Sequence, residues 1–386
     1  MSLTENKKHS MPPPQSSAFS GHQLSLFQTF LCNGEDERQR LSNTVDFWDS
    51  VPKYCVSRKQ MSTMRSADGY LPKARRNFDY MGSVFAVEIR PARVSDKDGK
   101  EKEYYPSLRE ELVEDALRKI AAEQNHGFYE ELPKAQRSGV VFSIYMLRKE
   151  LALRGHTVSY QQARESLYIL SDAGIEILSG DGTSVFRSSI LQTLAGVSRT
   201  DLQTDAKARW YADFCPLVTE SIRALTYRQY DYHAMMHHSS QLGRWLHKRL
   251  SHTYLNASPL TPYTFLFSSV RRDSGLLGEE PQSTATNPPK RYQRDRDAIR
   301  SLDRVLDELK ERKVLMSYER EERKGVRGRI LDVKYKVVAH PDFAKQVKAA
   351  NKRVSDAKRS VAPPPDTRQR GQGGAGKIGS FSSRFR

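Results

Sequence analysis

Arg291, Arg294, Arg296, Arg300 and Arg304 crowd one stretch of this chain, and they are the side chains whose type and spacing point most directly to chemistry. A guanidinium fork matches two phosphate oxygens or the O6/N7 edge of guanine. In the same stretch Ile299, Leu302, Leu306 and Leu309 recur at three- and four-residue intervals. That spacing predicts a helix with one buried stripe, and it turns Arg300 and Arg304 outward. Val314–Tyr318 and Ile330–Val338 read as two strands around the tip Arg323-Lys324-Gly325-Val326-Arg327-Gly328. An arginine-bearing helix backed by a basic hairpin suits a polyanion. A plain surface helix with solvated charges would contain the same residues, and this stretch alone leaves both readings open.

A second segment is built the same way. Ser159 is a good N-cap, the helix runs YQQARESLYILSDAG, and Gly174 is placed to end it. Ala163, Leu167 and Leu170 face inward; Gln161, Gln162, Arg164, Tyr168 and Ser171 face outward. Ile175–Leu178, a turn through Ser179-Gly180-Asp181-Gly182, and Ser184–Leu191 then form a hairpin. Ala163, Leu167, Leu170, Ile175 and Ile177 match Leu302, Leu306, Leu309, Val314 and Met316 at a constant offset. Two helix-plus-hairpin units describe an α+β chain with two tandem winged-helix DNA-binding domains. In such a unit the helix enters the major groove, and a wing bearing Arg323, Lys324 and Arg327 holds phosphates.

Around these units the chain divides into a disordered segment at 1–42, a first domain at 43–208, a second at 209–342 and a basic disordered tail at 343–386. In the first domain Asn43–Ser57 and Tyr80–Val94 suit strands, and Pro106-Ser107 opens a helix with Leu108, Leu112, Ala116 and Ile120 on one face. In the second, Arg209–Phe214 reads as a strand leading out of the first unit, and Ala234–Asn256 as one helical stretch. Arg244, Trp245, Lys248 and Arg249 crowd that stretch, which is read as packing and touching phosphate together. The chain of 386 residues carries a formal charge of +17, and residues 341–386 hold 11 Lys or Arg against 3 Asp. This surplus favours nucleic acid as partner, with the tail as a backbone grip. No apolar run approaches a membrane span and no signal peptide opens the chain, so it reads as cytoplasmic with no membrane partner.

Other chemistries fit poorly. Cys32, Cys55 and Cys215 form no CxxC pair, so neither a disulfide framework nor a zinc site is expected. His233, His237 and His238 share a likely helical stretch but lack a third ligand at suggestive spacing. Gly371–Lys377 nearly spells a phosphate-binding loop, yet Ile378 stands where Ser or Thr would hold magnesium. No G-x-S-x-G elbow and no His-hydrophobic-His nickase triplet occurs. The expectation is a protein without catalytic residues, metal or cofactor.

Gln23-Leu24-Ser25-Leu26-Phe27, set in polar sequence, has no core of its own to join and is suited to ordering in a partner's groove. It resembles the motif by which bacterial replication proteins dock on the sliding clamp. Together with the tandem units and the basic surplus, it makes the chain resemble the iteron-type replication initiators of bacterial theta plasmids, the TrfA-like and RepA-type members above all. The resemblance implies a protein that binds direct repeats at an origin, promotes melting of adjacent AT-rich DNA, and recruits the host helicase, the host initiator and the clamp. It also implies dimers through the first winged helix and autoregulation. On it, Gln23, Leu24, Leu26 and Phe27 would hold the clamp; the five arginines would read one half of each repeat, and Gln161, Gln162, Arg164 and Tyr168 the other. The long Asp273–Pro289 loop and the basic tail depart from the family pattern. A winged-helix repressor without a replication role is the alternative, and it predicts a single operator.

Overall fold

The computed structural model describes residues 39–95, 99–122, 126–132, 135–198, 202, 205–278 and 288–361. The Gln23–Phe27 motif, the Gly371–Lys377 stretch and Cys32 lie outside them.

Two hydrophobic cores organise the chain. The first is built on α3 (Leu108–Ala122), α4 (Ile144–Leu153) and α5 (Tyr160–Asp172), after the short α1 (Asp46–Ser50) and α2 (Arg58–Met64). Ser159 caps α5 through a capping box with Gln162, and Ala163, Leu167 and Leu170 are buried as their spacing requires. The hairpin β8 (Gly174–Ser179) and β9 (Val185–Ser189) follows directly, with Ile175 and Ile177 on its buried face. A second hairpin, β2 (Ala74–Tyr80) and β3 (Ser83–Arg90), widens that sheet to the order β2-β3-β8-β9. Its tight turn puts Met81 at φ 49 and Gly82 at φ 81. β4 (Ala92–Ser95) and β5 (Glu101–Tyr104) form a small ribbon beside α5.

The other sheet of this core corrects the expected boundary at 208/209. β10 (Leu191–Val197) and β11 (Arg209–Phe214) pair antiparallel, and β11 pairs on its other side with β7 (Ala135–Ser143), which pairs with β6 (Gly127–Leu132). Trp210, Ala212 and Phe214 are thus first-core residues, as are Leu217 and Val218 of α6 (Pro216–Arg223). β12 (Tyr227–Asp231) returns to pair with β1 (Leu41–Val45), and α7 (Tyr232–Met236) closes this core. Two local expectations also change. Strand structure between Asn43 and Ser57 stops at Val45, where α1 begins, and the Ala234–Asn256 stretch is broken at residues 237–240.

The second unit runs α8 (Gln241–Thr253), β13 (Tyr263–Leu266), α9 (Phe267–Ser274), α10 (Pro288–Glu311), β14 (Leu315–Lys324) and β15 (Ile330–Ala339). Its sheet order is β13-β15-β14. Helix, strand, two helices and a hairpin, with the last strand between the other two, is a winged helix. The fold is α+β with two tandem winged-helix units; in the first, the hairpin after α5 joins the sheet β2-β3-β8-β9, and β7, the strand between α3 and α4, lies in the sheet β10-β11-β7-β6. Ile299, Leu302, Leu306 and Leu309 are buried as predicted, but the repeat fails at its last position. Met316 is 46% exposed, because a bulge between Leu315 and Ser317 turns Leu315 inward instead.

A further helix, α11 (Pro341–Val361), replaces the first part of the expected disordered tail. Phe343, Ala344 and Val347 bury into the second core, while Val354 and Ala357 lie on the first. Arg353 donates to Gln229 of β12 at 2.6 Å and Gln346 to Asp231 at 3.4 Å. The helix straps the two units together, and apolar contact, not charge, decides its structure.

A buried polar network also joins the two units. Lys248 of α8 sits 2.8 Å from Asp115 and 3.3 Å from Glu111, both on α3. Arg118 spans Asp49 and Asp115 at 2.8 and 2.9 Å. Arg118 and the other positive groups nearby hold the Asp49 carboxyl far below the carboxylate range despite its burial. Gly275, at φ 64, ends α9 against Cys55; a Cβ there would lie 2.7 Å from the Cys55 Cβ, so no other residue fits.

Candidate nucleic-acid interface

The second winged helix carries the stronger site. Arg294, Arg296, Arg300 and Arg304 are all exposed on α10. Arg291 belongs to the helix, but its side chain is outside the described residues. The charge along α10 is uneven. Lys290, Arg291, Arg294, Arg296 and Arg300 meet only Asp295 and Asp297 in the first half, whereas Asp303, Asp307, Glu308 and Glu311 outnumber Arg304 and Lys310 in the second. The positive end is the N-terminal one, the end of a recognition helix that approaches base edges.

The aspartates, not weighed at the level of sequence, have separate tasks. Asp295 pairs with Arg271 of α9 at 2.9 Å and so fixes the start of α10. Asp303 accepts Arg320 of β14 at 2.6 Å and the Tyr335 hydroxyl of β15 at 2.8 Å, which pins the helix to the wing. Asp307 accepts the Tyr318 hydroxyl at 3.1 Å. Burial, then Asp307, pushes that phenol up to about 12, so it stays a donor at neutral pH. Asp297 accepts the Gln293 side-chain amide at 3.0 Å and makes an exposed 3.5 Å pair with Arg300. A pair of that kind is worth at most about 1 kcal/mol, so Arg300 remains free to turn to a ligand. Arg304 donates to Ser301 Oγ at 3.1 Å.

The wing is an extended hairpin. Arg323 and Lys324 are exposed near its tip, and Lys324 shares Glu322 with Arg320. The side chain of Arg327 is outside the described residues. Arg329 was missed by sequence reasoning; its guanidinium lies 4.7 Å from the Tyr292 ring centre and ties the wing to the start of α10. That contact joins positions distant in sequence, and no local signal could have shown it.

The first unit presents a weaker surface. Gln161 and Gln162 are exposed on α5, but the Gln162 amide oxygen accepts the Ser159 N–H at 2.9 Å and serves the cap. Tyr168 is half-buried, edge-on to Trp210 at 6.5 Å, with the Arg164 guanidinium 5.9 Å over its ring. Glu165 engages Arg109 of α3 in an ion pair. The hairpin tip carries Asp181, whose carboxyl is held down at about 2 by hydrogen bonds from Ser179 and Thr183. An acidic tip suits turn closure better than phosphate contact.

The α8 cations do not form a phosphate surface. Arg244 is buried and donates to the His238 carbonyl at 2.9 Å, Lys248 is inside the inter-unit network, and Arg249 pairs with Asp273 at 3.1 Å. The histidines are likewise structural. His233 contacts Arg154 at 2.7 Å, and His238 meets His247 at 2.9 Å while facing Glu308 at 3.4 Å. Glu308 also accepts Ser239 N–H and Oγ at 2.7 and 2.8 Å, so the linker between units is held on the far end of α10. Among the described residues no cluster of three or more His, Cys, Asp or Glu is placed to hold a metal, and no helix is long and apolar enough to cross a membrane.

No family model matches the chain, and no curated protein matches it by sequence. Among solved structures, the chain is similar to a structure of domains 2 and 3 of RctB, with TM-score 0.42 and 11% identity over 76% of this chain and 96% of that one. A second structure of RctB domains 2–3 gives 0.36 and 12% over 73% and 96%. The Pi initiator protein, solved in complex with iteron DNA, gives 0.39 and 14% over 65% and 98%. The fold assignment stands on the strand order and connectivity above.

Proposed function

We propose that this chain is a sequence-specific double-stranded DNA-binding protein that initiates replication from an origin carrying direct repeats. The observation that carries this function is the exposed arginine face at the N-terminal half of α10, braced against a basic wing by Asp303, Tyr335 and Arg320. Helix arginines read base edges in the major groove, and Arg323 and Lys324 hold phosphates. The first unit contributes through Gln161 and Arg164, with Gln162 and Tyr168 chiefly shaping the α5 surface. α11 and the buried network hold both units at one fixed spacing, so moderate affinities for two half-sites multiply. Several copies on adjacent repeats would strain the duplex and favour opening at flexible AT-rich steps. No catalytic residue is needed.

In this function Gln23, Leu24, Leu26 and Phe27 dock the sliding clamp, with the helicase and host initiator as further partners. The two units also allow a homodimer and binding at the chain's own promoter. DNase footprinting on DNA flanking the gene, at physiological salt, tests the proposal. Protection of several direct repeats beside an AT-rich tract is expected; one protected palindrome over the promoter would make the protein a repressor instead. Loss of clamp binding in a Leu26→Ala/Phe27→Ala variant, with the footprint intact, tests the motif separately.

A further inference from the structure

A groove at the joint between the two units takes no part in the DNA-binding surface. Its volume is about 320 Å³, and it is walled by the β2–β3 turn of the first unit and by α8, β13 and α9 of the second. The lining is apolar and aromatic: Trp245, Leu250, Tyr263, Phe265 and Leu266, with Met81 on the opposite wall. Met81 is 83% exposed and Leu266 42%. The charged groups of the groove neutralise one another, Arg272 pairing with Asp79 at 2.7 Å and Arg249 with Asp273 at 3.1 Å. A phosphate or carboxylate meets no surplus charge there, so the groove suits an uncharged, apolar occupant. Successive side chains of a strand alternate between its faces. All four residues of β13 nevertheless line the groove, which therefore follows the edge of that strand. Among the described residues β13 pairs with β15 alone, so its outer edge has no strand beside it.

The chain itself supplies a segment of matching chemistry. Gln23–Leu31, QLSLFQTFL, carries no charge and holds the large apolar residues Leu24, Leu26, Phe27, Phe30 and Leu31. It precedes the described residues, which begin at 39. From there β1 runs to Val45, and two residues further the Phe47 ring meets the Tyr80 ring at 4.9 Å, one residue short of Met81. A strand the length of β1 spans about 17 Å. Residues 28–38, fully extended, span about 36 Å, enough to bring the segment back along β1 to the groove. A tether of that length keeps the segment at a local concentration in the millimolar range, so a weak seat suffices to hold it. We propose that the groove is the seat of this chain's own Gln23–Phe27 segment, added as a strand along β13 with Leu26 and Phe27 packed against Trp245 and Leu266. The seat covers the residues assigned above to the sliding clamp, so groove and clamp compete for one segment. That competition rests on the proposed clamp contact; the docking does not.

The test uses the full chain with Phe27 replaced by p-benzoylphenylalanine, irradiated in dilute solution, with the cross-linked peptides identified by mass spectrometry. Cross-links within one chain to Met81, Trp245 or Tyr263–Leu266 are expected. Leu266→Asp puts a charge into the groove without costing the fold, since Leu266 is the N-cap of α9 and makes no side-chain cap bond, and aspartate is a favoured cap. That variant should lose the cross-links and bind the clamp about tenfold tighter than the wild type, the gain for a motif covered nine-tenths of the time. Cross-links only between chains would give the groove to a second copy and overturn the docking. Cross-links confined to other surfaces, or groove cross-links that survive Leu266→Asp, would also overturn it. Equal clamp affinity in wild type and variant would overturn the competition. Groove cross-links in a chain that binds no clamp in either form would uphold the docking and remove the clamp contact.

Discussion

Lys248→Met probes the joint between the two units. Lys248, Glu111 and Asp115 are all buried, and the ammonium lies 2.8 Å from one carboxylate and 3.3 Å from the other. Methionine fills similar volume without charge, so the variant leaves two buried carboxylates facing an apolar side chain. Removing one partner of a buried pair costs about 3–5 kcal/mol. Arg118 still reaches Asp115 at 2.9 Å, and burial already pushes the Asp115 carboxyl up, so proton uptake relieves part of the loss. The expected cost is therefore about 3 kcal/mol. With a urea dependence of roughly 3 kcal/mol/M, the unfolding midpoint should fall by about 1 M. Because Lys248 belongs to α8 and its partners to α3, the transition should also separate into two phases as the units lose their common interface. Lys248→Arg should recover most of the midpoint. A Met variant whose single transition moves by less than about 0.2 M would show that the network adds nothing to coupling.

Further outcomes follow from other parts of the structure. Burial lowers the His238 pKa to about 4, so between roughly pH 6.5 and 4 the unfolded chain binds the extra proton and stability falls as pH falls. The slope should flatten in His238→Gln, and urea midpoints taken across that window will show it. Lys313 ends α10 at φ 58, where a side chain is strained; Lys313→Gly should raise stability by about 0.5–1 kcal/mol in urea unfolding. Phe343→Ala should cost about 3–5 kcal/mol in the same assay, whereas a disordered tail would predict no change.

The sequence disclosed what is local. The apolar stripes of α5 and α10, the Ser159 cap and both hairpins depend on residues a few positions apart, and each stands where the spacing puts it. What failed depends on distant partners. Arg209–Phe214 looks like an exit strand until its pairing with β7 is known. Glu111, Glu114, Asp115 and Arg118 of α3 are all buried, a placement that helical spacing does not indicate, because Lys53 and Lys248 arrive from elsewhere to compensate them. Leu108, expected on the buried face of α3, is 42% exposed at its start. The α11 signal was present in Phe343, Val347, Ala350, Val354 and Ala357 at helical spacing, but the surrounding lysines and the Pro363-Pro364-Pro365 run outweighed it. At the candidate site the arginines were legible; the aspartates that brace them were not, since each needs a partner on another element.

The most direct test of the central claim, that the outward face of α10 reads DNA, is a missing-contact experiment. Guanine N7 methylation interference would be mapped on the protected DNA for the wild type and for Arg300→Ala. A guanine-reading arginine predicts that the variant loses about 1–3 kcal/mol of affinity and that interference disappears at one guanine of each repeat while the others persist. An unchanged interference pattern at full affinity would contradict the assignment and leave α10 a solvated surface helix.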